Sequence, residues 1–209
     1  MYLNYNKVGI DEMATGMGGA GRRRKGNSNE LKISKQLTKW ANGKAVFTRS
    51  PNSGAWGSTH GVHSAISGDI ATEAEEWPIS FELKNHEAFT SMDKIYHSST
   101  LITDFWQQNI GDAKRTHKVP LLLLHRNRSS QYAVVPYSSN LHNAFRVAGK
   151  DYGIFNLRWR DERLEQDNTQ EVISFVLDDF LELFEYDQVV AMSPVWFKDW
   201  YASLEVNND

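Results

Sequence analysis

The chain has 209 residues, 40% of them hydrophobic and 12% aromatic, enough for one good core. It contains no cysteine, which excludes a disulfide framework and a thiolate metal site and suits a reducing cytoplasm. The net charge of -3 conceals a polarity: residues 1–60 hold ten Lys and Arg against three Asp and Glu, and residues 161–209 hold two against thirteen.

A basic front and an acidic end suggest a polyanion-binding face with the opposite sign kept away from it; two ordinary solvated surfaces would read alike. At the start, Gly16, Gly18, Gly19, Gly21 and Gly26 surround Arg22, Arg23, Arg24 and Lys25. This composition predicts a flexible basic arm over residues 1–27, able to reach phosphates. Without the basic-then-apolar order of a signal peptide, the arm is not read as a targeting segment.

A helix is predicted over 28–41, capped by Ser28 or Asn27, with Glu30, Ile33, Leu37 and Trp40 on one face and Asn42-Gly43 as a left-handed end. Glu30 is then either a carboxylate favoured by the helix dipole or an acidic group facing a site. Lys44 to Arg49 reads as a short strand, and residues 50–57 as a loop rich in backbone donors. Gly68-Asp69-Ile70 follows, and then Ile79, Phe81 and Leu83 alternate with Ser80, Glu82 and Lys84. That period of two marks a strand with an apolar face and a face on which Glu82 and Lys84 stand side by side.

A helix at 99–110 carries the apolar stripe Ile102, Phe105, Trp106 and Ile110. Residues 119–125 and 131–137 form a predicted hairpin, in which Leu121 to Leu124 is too short for a membrane span. Residues 155–159 read as an edge strand. Asn168 and Glu171 have capping-box spacing, and Ile173, Leu177, Phe180, Leu181 and Phe184 predict an amphipathic helix. Ser193-Pro194 is read as the start of a last helix, whose Trp196, Phe197 and Trp200 belong to the core or to a docking surface.

The chemistry must come from carboxylates, since no phosphate-binding loop or serine elbow is present. Two carboxylates, Asp69 and Glu82, suffice for a hard cation such as Mg2+, which keeps several waters and completes its shell from a phosphate. A lysine beside them, Lys84, can orient a water or offset developing charge.

Taken in order, Glu30, Gly68-Asp69 and Glu82-x-Lys84 resemble the PD-(D/E)xK nuclease superfamily, and within it the Holliday junction resolvases of archaeal and, more loosely, RecU type. The likeness covers residues 22–136 and includes the basic Arg22 to Lys25 and the Arg49-Ser50 loop with Ser53; Gly68 stands where the superfamily's name has proline. It implies an α/β, restriction-endonuclease-like core with a central mixed sheet flanked by helices, here over 28–160, with an acidic helical C-terminal addition over 161–209. It further implies a Mg2+-dependent endonuclease, with Mn2+ able to substitute, cutting branched DNA as a homodimer in the cytoplasm, or the host cytoplasm if phage-encoded. Asp69, Glu82 and the Leu83 carbonyl would hold the metal, Glu30 a metal-bound water or second ion, and Lys84 the attacking water. Arg22, Arg23, Arg24, Lys25, Arg49, Ser50 and Ser53 would contact DNA, and Gln107 or Gln108 would assist. His60 and His63, three apart, do not make a zinc site, because no further His or Cys completes one nearby; DNA contact or loop polarity fits better. The alternatives are a restriction-like, phage or mobile-element endonuclease on duplex DNA, or a non-catalytic DNA-binding protein on the same scaffold.

Overall fold

The computed structural model describes residues 19–50, 68–85, 100–125, 129–161 and 166–205. Helix α1 (Gly19–Trp40) leads through the short antiparallel pair β1 (Phe47–Arg49) and β2 (Ile70–Thr72) to strand β3 (Ile79–Asn85). Helix α2 (Thr100–Thr116) crosses back to β4 (Val119–His125), which lies parallel to β3. Strand β5 (Tyr132–Pro136), helix α3 (Ser139–Ala148), strands β6 (Tyr152–Asp161) and β7 (Gln166–Val176), and helices α4 (Leu177–Leu183) and α5 (Tyr186–Glu205) complete the described chain. The main sheet has the order β3-β4-β5-β7-β6, parallel at β3–β4 and antiparallel elsewhere.

Helices cover both faces of this sheet. On one, Ile33 and Leu37 of α1 pack with Ile79, Phe81 and Leu83 of β3 and with Tyr186 and Trp196 of α5. On the other, Ile102, Trp106 and Ile110 of α2 meet Leu122 and Leu124 of β4, Leu157 of β6 and Trp200 of α5. Trp77 fixes the back of β3, edge-on to Phe47 with centroids 4.9 Å apart and stacked on Tyr186 at 5.4 Å. Such contacts add about 0.5–1.5 kcal/mol each beyond burial. They tie the C-terminal helix to the strand that carries Glu82.

The expected hairpin forms as β4–β5, Phe155 to Trp159 lies within the edge strand β6, and Asn42 and Gly43 end α1 with φ of 50° and 84°. Four expectations are corrected. Helix α1 begins at Gly19, so Arg22 to Lys25 lie in a helix and not in an irregular arm; Arg and Lys are good helix formers, and the helix accommodates Gly21 and Gly26 at a cost of about 1 kcal/mol each. Residues 168–176 are strand and not helix, and α4 starts only at Leu177. From Val172 to Phe175 this strand is buried on both faces, which removes the alternation and leaves an apolar run without a strand period. It lies between β5 and β6, so the segment after residue 160 supplies an inner strand of the sheet as well as helices.

Helix α5 starts at Tyr186, not at Ser193, and contains Pro194. Its first turn is closed by Gln188, whose Oε1 accepts from the Glu185 N–H at 2.8 Å. Pro194 cannot donate to the Val190 carbonyl, and Ser193 Oγ donates to it instead at 2.7 Å. The acidic end is not kept wholly apart from basic groups: Asp187 pairs with Lys44 near the end of α1, and Asp179 and Glu182 accept from Lys150 at 2.9 and 2.7 Å. Helix α3, capped by Ser138 and ended by Gly149 in the left-handed conformation, was not anticipated.

Candidate active site

The site begins with a backbone requirement. Gly68 has φ of 73° and pairs in parallel with Phe81 of β3. A Cβ at Gly68 would lie 1.9 Å from the Phe81 carbonyl oxygen, so only glycine fits. Proline, with φ near −65°, could not adopt this conformation, which accounts for the departure from the superfamily's name. The approach locks the next residue against the strand: the Asp69 N–H donates to Phe81 O at 2.7 Å, and Asp69 Oδ2 accepts from the Leu83 N–H at 2.8 Å. Since the N–H and C=O of a strand residue leave on the same edge, the Leu83 carbonyl faces the edge on which Asp69 sits.

Glu82 lies opposite Leu122 of β4 and therefore shares the face covered by α2. Its residue is only 2% exposed. Burial, and then the charge of Asp69, push its carboxyl up to about 7 against the pull of Lys84; Asp112 of α2 adds a smaller upward push. Lys84, two residues on, forms an ion pair with Glu82. The Lys84 ammonium also donates to Gln108 Oε1 at 3.3 Å and stands 4.8 Å from the centroid of the Phe105 ring. Helix α2 thus presents Phe105, Gln108 and Asp112, spaced three and four apart, over the Glu82-x-Lys84 strand.

The remaining sequence-derived candidates lie in three situations. Glu30 is buried in α1 and accepts from Arg49 Nε at 2.5 Å. Arg49 is thereby engaged within the chain, and the next residue, Ser50, donates its N–H to Asp69 O at 3.0 Å. Ser50 is only 2% exposed, and its hydroxyl has no hydrogen-bond partner among the described residues. Arg22, Arg23, Arg24 and Lys25 occupy the first turns of α1. Of the two glutamines, Gln108 reaches Lys84. Ser53, His60 and His63 lie outside the described residues.

Asp69 and Glu82 offer two carboxylates and an adjoining carbonyl edge, an all-oxygen donor set suited to a hard divalent cation. The burial that chiefly raises Glu82, together with the charge of Asp69, is the electrostatic deficit such a cation would relieve. Glu30 does not join them: among the described residues no three or more His, Cys, Asp or Glu are grouped to hold a metal. The structure brings the candidates Asp69, Glu82, Lys84 and Gln108 near one another, and adds Phe105 and Asp112 as neighbours that the sequence reading did not place there, although their spacing from Gln108 along one helix face was available.

A mixed sheet flanked by helices, with a Gly-Asp segment bonded to the edge of a Glu-x-Lys strand, defines a restriction-endonuclease-like fold of the PD-(D/E)xK type. Residues 21–191 match the phage putative PDDEXK endonuclease family, and the chain belongs to that family. The match is with this phage family, not with the Holliday junction resolvases that the motif order resembles. No curated protein and no solved structure matches the chain. Among the described residues no helix is long and apolar enough to cross a membrane.

Proposed function

We propose that this protein is an endonuclease that hydrolyses DNA phosphodiesters with a divalent cation, Mg2+ or in its place Mn2+. The observation that carries the reading is the burial of the Glu82 carboxylate beside Asp69, an arrangement that is costly until a cation joins it. Asp69, Glu82 and the Leu83 carbonyl would hold the cation. When bound, that ion supplies Lewis-acid polarisation of a phosphate oxygen and a more acidic water. The Lys84 ammonium orients the attacking water and offsets charge growing on the phosphate. Glu30, held by Arg49, stands outside this pair and serves through a water or a second ion. Helix α1, with Arg22 to Lys25 in its first turns, brings positive charge toward the DNA backbone.

For substrate, the family match supports a phage enzyme acting on duplex DNA at least as well as a homodimeric junction resolvase. A non-catalytic binder fits less well, because Glu30, Asp69, Glu82 and Lys84 are all retained. The test is Asp69→Ala: cleavage is lost while a gel shift on DNA, weakening with rising salt, persists. Retained cleavage overturns the assignment of Asp69, and absence of any DNA binding by the wild type overturns the nuclease reading.

A further inference from the structure

Lys84 forms an ion pair with Glu82, one of the groups that would turn to a cation. The ammonium and the cation therefore compete for one carboxylate. A lysine displaced from Glu82 needs another partner. Two such partners already touch it, the Gln108 amide oxygen at 3.3 Å and the face of the Phe105 ring, whose centroid is 4.8 Å away. Phe105 is partly buried and packs against the core cluster that includes Trp106 and Leu124, so its ring is anchored in the fold.

We propose that Phe105 is a positioning residue, which holds the Lys84 ammonium over its ring when the cation takes Glu82 and thereby keeps the lysine at the reacting phosphate. This rests on the proposed metal-dependent reading and adds to it a role for an aromatic residue that carries no ligand or proton. The attraction is electrostatic, between the cation and the negative face of the ring, so Tyr or Trp should replace Phe while a leucine of similar bulk should not.

The test is calorimetric titration of the full chain with Ca2+, without DNA, for wild type, Phe105→Leu, Phe105→Trp, Lys84→Ala and the double variant Phe105→Leu/Lys84→Ala. Phe105→Leu should weaken Ca2+ binding by about two- to thirty-fold, the range that cation–π strengths correspond to. Phe105→Trp should bind like wild type, and in the Lys84→Ala background the leucine should have no effect. With Mg2+ and DNA varied from below KM to saturation, Phe105→Leu should lower kcat more than it changes KM. An equal loss of Ca2+ binding with and without Lys84, or failure of Trp to rescue, overturns the positioning role and leaves Phe105 as packing alone. If wild type binds no Ca2+, Mg2+ or Mn2+, the metal-dependent reading itself has failed, a result distinct from either.

Discussion

Glu82→Gln separates the stability of this fold from its chemistry. Burial, and then the charge of Asp69, push the Glu82 carboxyl up from its ordinary 4.5 to about 7 in the folded protein. That difference corresponds to about 3 kcal/mol. The sign follows from proton binding: between the two values the folded state holds a proton that the unfolded state has released, so stability falls as pH rises from about 4.5 to about 7 and is level above. Glutamine has no proton to lose and removes this slope. In EDTA, urea denaturation of wild type and Glu82→Gln at pH 5 and pH 8 should show the variant gaining about 2–3 kcal/mol on the wild type between the two pH values. Using the change between pH values cancels whatever the amide gains or loses in packing. Mg2+ should then stabilise the wild type at pH 8 and not the variant, by mass action on the folded state, and the variant should not cleave DNA. Parallel pH dependences for the two proteins would refute the reasoning.

Gly68→Ala places a Cβ 1.9 Å from the Phe81 carbonyl oxygen at a φ of 73°, so the Asp69 segment must shift. A loss of at least about 2 kcal/mol in denaturation is expected, with cleavage reduced even under conditions where the variant is fully folded. Lys118, buried before β4, has its ammonium pushed down to about 8 by burial alone. Its folded value is depressed, so the wild type gains stability as pH rises from about 8 toward 10.5, and Lys118→Met should be more stable by about 1–3 kcal/mol at pH 7 and lose that advantage above pH 10. Equal stability of the two proteins at pH 7 would show that the ammonium reaches water and is not desolvated.

The parts of the fold written in local patterns were legible. Alternation marked β3, the turn residues of the β4–β5 hairpin marked that pair, and Asn42-Gly43 marked the end of α1. Strand β7 was not legible, because residues buried on both faces carry no alternation and Ile173 happens to continue the helical spacing of Leu177 and Phe180, which do lie in α4. The start of α5 was hidden by Pro194, a helix breaker by propensity that is accommodated here through Ser193. Helix α3 was legible and overlooked: Ser138 as cap, Leu141 and Phe145 four apart, and Gly149 at the end are ordinary helix signals.

The site divides in the same way. Asp69, Glu82 and Lys84 follow from spacing along the chain, since a strand fixes Glu82 and Lys84 on one face and a Gly-Asp step supplies the neighbouring carboxylate. The engagement of Arg49 with Glu30, and of Lys84 with Phe105, depends on how α1 and α2 dock on the sheet, and residue spacing within one element does not encode that.

The central claim is that Asp69, Glu82 and Lys84 form a metal-dependent phosphodiester-cleaving site. Its most direct test is cleavage of a labelled linear duplex and a four-way junction by wild type and Lys84→Ala, with Mg2+ and with EDTA. The account predicts Mg2+-dependent cutting of at least one of these DNAs by the wild type, absent in EDTA and lost in the variant, with the preferred DNA identifying the duplex or the junction as substrate. Undiminished cutting in EDTA or by Lys84→Ala, or no cutting of either DNA by the wild type with Mg2+, would contradict it.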